Sequence, residues 1–325
     1  MTAAWDRETD VLVIGAGGCG LVAALAAHDD GASVIIVEKR ASPGGNLAYG
    51  DGVLPGAGTH LQRAAAIDDD HERFARDLTA RAGDHDMPAL AGRLAAESGA
   101  LVDWLIDAAG ARLVLLDESP AGHGAARLHA PPSRAGADLL DDLMRAIERR
   151  AIPIWPGWKV SGLIGDTDGI VGAVAEAGPS EIARIGAKKV VLASGGFASA
   201  PALVRRFCPD AAALTADGAP GATGDALLWG LGLGAALANL GAYQGDAATG
   251  ALVRTQGGLA VDQDGRVLRR DGAPIANLFA GGGAAAGISG RSGGAGYLSG
   301  NGLLSALGLG RLAGRAAARE IAAHA

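Results

Sequence analysis

Short apolar runs separated by glycine-rich turns set out the architecture of this chain. Residues 11–14 form a wholly apolar run, residues 34–37 form a second, and an Ala/Leu-rich segment lies between them. Runs of that length bounded by glycine read as buried parallel strands, with a crossover helix between. Residues 60–115 read as helical, and within 86–110 the positions of Leu90, Leu94, Leu101, Trp104 and Leu105 follow helical spacing. A helix is expected over 138–150. Strands follow over 159–166 and 169–178, joined by a turn at Asp168-Gly169, and an apolar strand over 188–197 ends in Gly195-Gly196. A helix through 201–207 precedes one that runs from Gly224-Asp225 to about Gly241. Two strand patterns, 258–265 and 275–282, lead into a long final helix over 300–323. Strands and helices alternating in this way predict an α/β fold on a parallel sheet.

The first apolar run ends in Gly15-x-Gly17-x-x-Gly20, and the second ends at Glu38 with Lys39 beside it. Gly15 permits a tight turn, Gly17 lets a pyrophosphate approach the backbone, and Gly20 lets helix and strand pack closely. Free N–H groups at the helix start, around Gly18 and Cys19, favour phosphate, and Glu38 suits ribose hydroxyls. With 53 glycines in 325 residues, the spacing alone carries little weight. The strand before, the helix after and the acid at the right distance make it an adenine-dinucleotide site.

Composition narrows the classes of partner. The net charge is −7 without long basic tracts, which argues against nucleic acid or an anionic membrane surface. The two cysteines, Cys19 and Cys208, form neither a disulfide framework nor a zinc motif, and no metal site is expected. The first ten residues lack the order of a signal peptide. The uncharged stretch 226–245 holds five glycines and reads as a buried helix and strand rather than a membrane span. A cytoplasmic protein is expected. From Gly272 to Gly310 the single charged residue is Arg291, and such a segment suits a bed for a large, mostly apolar cofactor.

Five blocks together resemble the fumarate reductase/succinate dehydrogenase and 3-ketosteroid dehydrogenase group of FAD flavoproteins. They are the Gly15/Gly17/Gly20/Glu38 unit, the turn Pro43-Gly44-Gly45-Asn46, Ala193-Ser194-Gly195-Gly196-Phe197, the glycine–aspartate helix start at Gly224-Asp225, and the C-terminal run from Thr255 through Gly282-Gly283 to Gly314. The resemblance implies a Rossmann-like FAD-binding fold of the glutathione-reductase type, one domain over 1–325. Its dinucleotide motif would span 8–46, a helical and strand insert 60–180, and a C-terminal flavin-binding segment 255–325. It assigns FAD contacts to Gly15, Gly17, Gly18, Cys19, Gly20, Glu38, Lys39, Gly44, Gly45, Asn46, Ala193, Ser194, Gly195, Gly224, Asp225, Gly282, Gly283, Gly300, Asn301, Leu303 and Leu304. No His-Thr pair of the kind that tethers flavin lies near Asn46, so non-covalent FAD is expected. The N-terminus of the last helix would face the flavin pyrimidine edge, where its N–H groups and dipole stabilise negative charge.

Departures from the group carry equal information. About ten residues separate Gln244 from Thr255, where relatives insert a capping domain with a catalytic arginine. The final glycine-rich block has Gly296-Tyr297 in place of an Asn-Arg pair that binds substrate carboxylate. The resemblance therefore points away from dicarboxylates and toward desaturation or reduction of a C=C bond next to the carbonyl of an apolar ketone, cyclic ketones included. Tyr297 would donate to the carbonyl oxygen, and Tyr243 or Tyr49 would serve as base. Arg134 sits where the group carries an Arg-Gly turn near the active site, so contact to substrate or flavin is a secondary reading for it, whereas His60, His123 and His129 read as structural. Two other readings stay open: a double-bond isomerase without net redox, and an FAD-binding subunit, or homo-oligomer, whose flavin face another chain completes.

Overall fold

The computed structural model describes residues 4–246 and 248–324; Met1 to Ala3 of the N-terminal segment read above lie outside it. The chain opens with β1 (Arg7–Ile14), α1 (Gly18–Asp29) and β2 (Val34–Glu38). An insert carries α2 (His71–Ala82), α3 (Pro88–Asp107) and α4 (Gly136–Arg149). Then come β3 (Ile154–Pro156), β4 (Lys159–Asp166), β5 (Gly169–Gly178) and β6 (Glu181–Leu192). The C-terminal part holds α5 (Asp225–Gly232), β7 (Gly241–Asp246), β8 (Ala251–Thr255), β9 (Arg266–Leu268), β10 (Pro274–Ala280) and α6 (Asn301–Ala322).

The main sheet runs β9-β10-β6-β1-β2-β3. Its centre is parallel: Leu12 of β1 faces Ile35 of β2 on one side and Val190 of β6 on the other, and Val191 faces Phe279 of β10. The antiparallel members are β9 at one edge and the β4–β5 hairpin, which joins the first half of β6. An α/β Rossmann-like fold with a mostly parallel sheet is thus observed. Sequence patterning finds β6 only from 188 onward, because its first half alternates polar and apolar residues against β5 while its second half is buried on both faces.

Helices α1 and α6 cross with almost no side chain between them. A Cβ on Gly314 would stand 2.2 Å from the carbonyl oxygen of Ala23, and one on Gly310 would stand 2.5 Å from that of Cys19. The Ala/Gly-rich composition therefore builds this contact, in which two backbones meet at a separation larger residues forbid. One hydrophobic cluster runs from Val11 to Ala318.

Two expectations are corrected. The helix from Asp225 ends at Gly232, not near Gly241; Gly234 adopts φ +75° and turns the chain toward a short strand, Leu237–Ala238. The strand expected over 258–265 shrinks to Gly258–Leu259. Where relatives are expected to insert a cap, β7 and β8 fold back as an antiparallel hairpin, Tyr243 facing Thr255 and Gln244 facing Arg254.

Candidate functional site

The C-terminal ends of β1, β2 and β6 open into a cavity of about 600 Å3, where open parallel sheets place their ligands. β1 leaves the sheet through Gly15, whose φ of +110° turns the chain, and Gly17 caps α1. The first-turn N–H groups of α1 have no intrahelical acceptor and lie beside the cavity-lining residues Gly17, Gly18 and Cys19. Gly17 bridges Gly44, and the Gly44 N–H donates to Ala16 at 3.0 Å, so the first glycine turn and the Pro43-Gly44-Gly45-Asn46 turn form one wall. Gly20 lies behind this wall: a Cβ there would stand 1.8 Å from the Gly15 carbonyl oxygen. Its role is packing.

At one end, the carboxylate of Glu38 accepts the Ala16 N–H at 2.7 Å and the Arg40 N–H at 2.8 Å. Lys39 donates to Thr223 and to Asp225, each at 2.7 Å, which ties β2 to the start of α5. Trp158 and Trp229 also line the cavity, Trp229 one helical turn beyond Asp225, and the Trp158 N–H donates to the Glu38 carbonyl at 3.0 Å. Trp158 lies outside the glycine-rich blocks, and Trp229 lies within the block that starts at Gly224-Asp225 but at a position that motif does not assign.

Tyr297 lines the other end with Arg254, Gln244, Gln256 and the first turn of α6. The Gly302 N–H and the Arg254 guanidinium both favour negative charge on the Tyr297 hydroxyl. Burial raises the phenol above its usual pKa of 10 against the opposing pull of Arg254 and that N–H, so Tyr297 stays protonated. Asp51 lies near enough to add to the rise. The segment that carries Tyr297 is clamped from outside: Arg81 donates to the Tyr297 carbonyl at 3.0 Å, and His123 Nε2 lies 3.1 Å from the Ser299 carbonyl.

The expected FAD residues Ala193, Ser194, Gly195, Gly45, Gly282, Gly283, Gly300 and Leu303 all line the cavity. Asn46 lines it as well, with its Oδ1 accepting the Ala219 N–H at 2.7 Å. Gly224, Asn301 and Leu304 are placed behind the lining: Gly224 caps α5, Leu304 is core, and Asn301 is fully buried. Cys19 is a buried thiol pushed up to about 12, which keeps it inert. Tyr49 stands at the cavity mouth, 63% exposed.

Tyr243 does not reach the cavity. Along a strand, successive side chains alternate faces; Gln244 takes the cavity face, and Tyr243 packs with Phe197, Val204 and Leu252. Arg134 pairs with Glu118 on the surface and lies outside the lining. Asp51, Gln244 and Arg254 are among the cavity groups that sequence patterning misses.

The cavity meets the requirements of a bound dinucleotide from its own residues. Ser194 Oγ, Gln244 Oε1, Arg254 Nε, Gln256 Nε2 and Ser305 Oγ are buried there without a hydrogen-bond partner in the protein. Buried polar atoms of this kind require a partner. Gly17 adds a second sign: its φ is −82°, and a Cβ would meet nothing nearer than 3.6 Å. The fold itself thus tolerates a side chain at Gly17, and the need for glycine comes from what lies against it. Among the described residues no histidine lines the cavity, in keeping with FAD held non-covalently. Among the described residues no group of acids, histidines and cysteines is placed to hold a metal, and no helix is long and apolar enough to cross a membrane.

These features define a dinucleotide-binding α/β protein. The chain belongs to the family described as FAD binding domain, which it matches over residues 10–246 and 241–303, and FAD is its cofactor. It is 32% identical over 271 residues to a probable fumarate reductase of Shewanella frigidimarina, covering 80% of this chain and 46% of that protein. It is 31% identical over 242 residues to an NADH:fumarate oxidoreductase of Klebsiella pneumoniae, covering 73% of this chain and 26% of the other. The chain thus spans less than half the length of either relative. Among solved structures, an open flavocytochrome c3 fumarate reductase superposes with TM-score 0.89 at 22% identity, over 97% of this chain and 79% of that one. A 3-ketosteroid Δ4-(5α)-dehydrogenase from Rhodococcus jostii superposes with TM-score 0.84 at 21% identity, over 98% of both chains.

Proposed function

We propose that the chain is an FAD-dependent oxidoreductase that exchanges two electrons and two protons across a C=C bond conjugated to a carbonyl group, one hydrogen at each carbon. The observation that carries this reading is Tyr297, a phenol kept protonated by burial at the end of the cavity where α6 begins. Bound FAD supplies the two-electron exchange at carbon. The protein's own residues supply the rest. Tyr297 donates to the carbonyl oxygen, and the N-terminal end of α6 stabilises the negative charge that gathers there as the bond is reduced. A protonated phenol suits that donor role and not the role of base. For the proton at the adjacent carbon, Asp51 and Tyr49 share the cavity mouth, and solvent reaches both. The printed names of relatives span fumarate, urocanate and acrylate reduction, and ketosteroid dehydrogenation appears among the solved structures. A conjugated carbonyl is common to these, whereas a vinyl phenol reductase of Lactiplantibacillus plantarum is named for a C=C bond conjugated to a phenol.

A second reading, an FAD module completed by another chain, is favoured by the hairpin that stands where relatives have a cap, and by the exposure of Tyr49 at the mouth. One experiment separates them. FAD-loaded protein reduced photochemically without oxygen is mixed with conjugated enones and enoates, and the flavin absorbance is followed. Recovery of the oxidised band with a saturated product supports the stand-alone enzyme. No recovery with any acceptor, from a monomer that holds its FAD, supports the module.

A further inference from the structure

Tyr297 can hold the oxygen of either a neutral or a charged carbonyl, and a charged side chain, Arg254, shares its end of the cavity. Arg254 lies on β8 opposite Gln244 of β7, and both side chains line the cavity. Among the described residues no carboxylate lies within 4.0 Å of its guanidinium, although it is half-buried and its Nε is buried without a partner. Leaving a cation unpaired in a partly dehydrated place costs free energy, and an arriving anion offsets that cost. The other lysines and arginines lining the cavity are elsewhere: Lys39 is held by Asp225, and Arg40 and Lys159 flank the Glu38 and Trp158 end.

The immediate surroundings favour the same charge. A Cβ on Gly302 would stand 2.7 Å from Nη1 of Arg254, so the guanidinium rests against the first turn of α6. Tyr297 lies in the electrostatic reach of the same guanidinium. Guanidinium, phenol and first-turn N–H groups are donors, and a planar carboxylate is the small group that accepts from several donors at once, in bidentate fashion from arginine.

Resting on the conjugated-carbonyl reading above, we propose that Arg254 is a specificity-determining residue that makes the substrate an α,β-unsaturated monocarboxylate. One carboxylate sits between Arg254 and Tyr297, and the chain selects it over a neutral enone and gains nothing from a second carboxylate. This differs from the apolar ketone expected from sequence.

The test uses FAD-loaded protein and three probes: crotonate, fumarate and the neutral 2-cyclohexenone. Perturbation of the flavin absorbance gives each dissociation constant, at low and high salt, for the native protein, Arg254→Gln and Arg254→Lys. Crotonate is expected to bind at least tenfold more weakly to Arg254→Gln, with part of the affinity restored by lysine and a loss on adding salt; 2-cyclohexenone binding is expected to be unchanged. Fumarate is expected to bind no tighter than crotonate. Equal crotonate binding by native protein and Arg254→Gln would overturn the proposal. So would loss of FAD itself from both Arg254 variants, which would make Arg254 a cofactor ligand. Failure of the broader reading looks different: crotonate still binds through Arg254, but neither it nor the enone reoxidises the reduced protein.

Discussion

Lys39 and Asp225 stand 2.7 Å apart although 186 residues separate them. Lys39 follows the acid that ends β2, and Asp225 opens α5, so their pairing closes the glycine cradle at the Glu38 end. Both side chains are about four-fifths buried, in surroundings where a charge-assisted hydrogen bond contributes about 1.5–3 kcal/mol. Lys39→Met is expected to leave Asp225 facing the cofactor without its cation and to weaken FAD binding about tenfold, as 1.4 kcal/mol implies. Adding Asp225→Asn should recover part of that loss. Titration of apo-protein with FAD, run as a double-mutant cycle, measures the coupling; additive effects would show that the pair does not act as a unit.

Trp158 and Trp229 line the same end, just beyond the acid suited to ribose, and aromatic faces stack on purines. Replacing either by alanine is expected to weaken FAD while leaving FMN, which lacks the adenine, nearly unchanged. Stacking of this kind amounts to about 1–3 kcal/mol per base, so a loss of about tenfold or more is expected for FAD. Quenching of tryptophan fluorescence by FAD should diminish in parallel. Equal losses for FAD and FMN would move the tryptophans away from the adenine.

Tyr297→Phe removes the donor and keeps the ring. With FAD retained, turnover on a conjugated carbonyl substrate is expected to fall by about tenfold or more, within the range found when one oxyanion donor is lost. Burial holds the phenol above pKa 10, so the donor form persists through neutral and mildly alkaline solution. Native turnover should show no alkaline fall attributable to this group below about pH 10. A rate unchanged in the phenylalanine variant would reduce Tyr297 to packing.

The parts of the site that are legible in sequence are those whose chemistry demands glycine or a fixed spacing: Gly15, Gly17, Gly20, Glu38 and the start of α6. Arg254 and Gln244 are not legible, because β7 and β8 are short strands and only the three-dimensional placement of the hairpin shows which face meets the cavity. That same ambiguity explains Tyr243. Alternation separates its side chain from that of Gln244, yet nothing in the pattern says which of the two points inward. The overlong helix after Asp225 has a simpler cause. Leu231, Gly232, Leu233 and Gly234 keep an apolar character through the helix end, and only the positive φ of Gly234 ends it.

His129 is fully buried, with Nε2 3.1 Å from the Thr59 hydroxyl, and burial depresses its pKa from 6.5 to about 4. The unfolded chain therefore binds a proton below pH 6.5 that the folded chain refuses until about pH 4. Stability from this residue is intact above pH 6.5 and falls as acidification proceeds toward pH 4, by on the order of 3 kcal/mol in all. His123 and His85, also lowered by burial, add to the same slope. Urea unfolding at pH 7 and pH 5 should show a smaller acid loss for His129→Gln than for the native protein. An equal loss in both would place the acid sensitivity elsewhere.

Gly17 and Gly20 offer the sharpest contrast, since both belong to one motif and only one is required by the fold. Gly20→Ala drives a Cβ to 1.8 Å from the Gly15 carbonyl oxygen, and backbone cannot yield as a flexible side chain does. Overpacking of this severity is expected to cost on the order of 3 kcal/mol, seen as a lower urea midpoint in the apo-protein. Gly17→Ala meets nothing within 3.6 Å and has an ordinary φ of −82°. Apo-protein stability should stay within about 0.5 kcal/mol of native. FAD affinity, however, should fall at least tenfold, because the new methyl takes the space against which the pyrophosphate lies. Calorimetry of FAD binding beside urea unfolding of the apo-protein separates the two effects. If Gly17→Ala bound FAD like the native protein, the phosphate path would have to run elsewhere in the cavity.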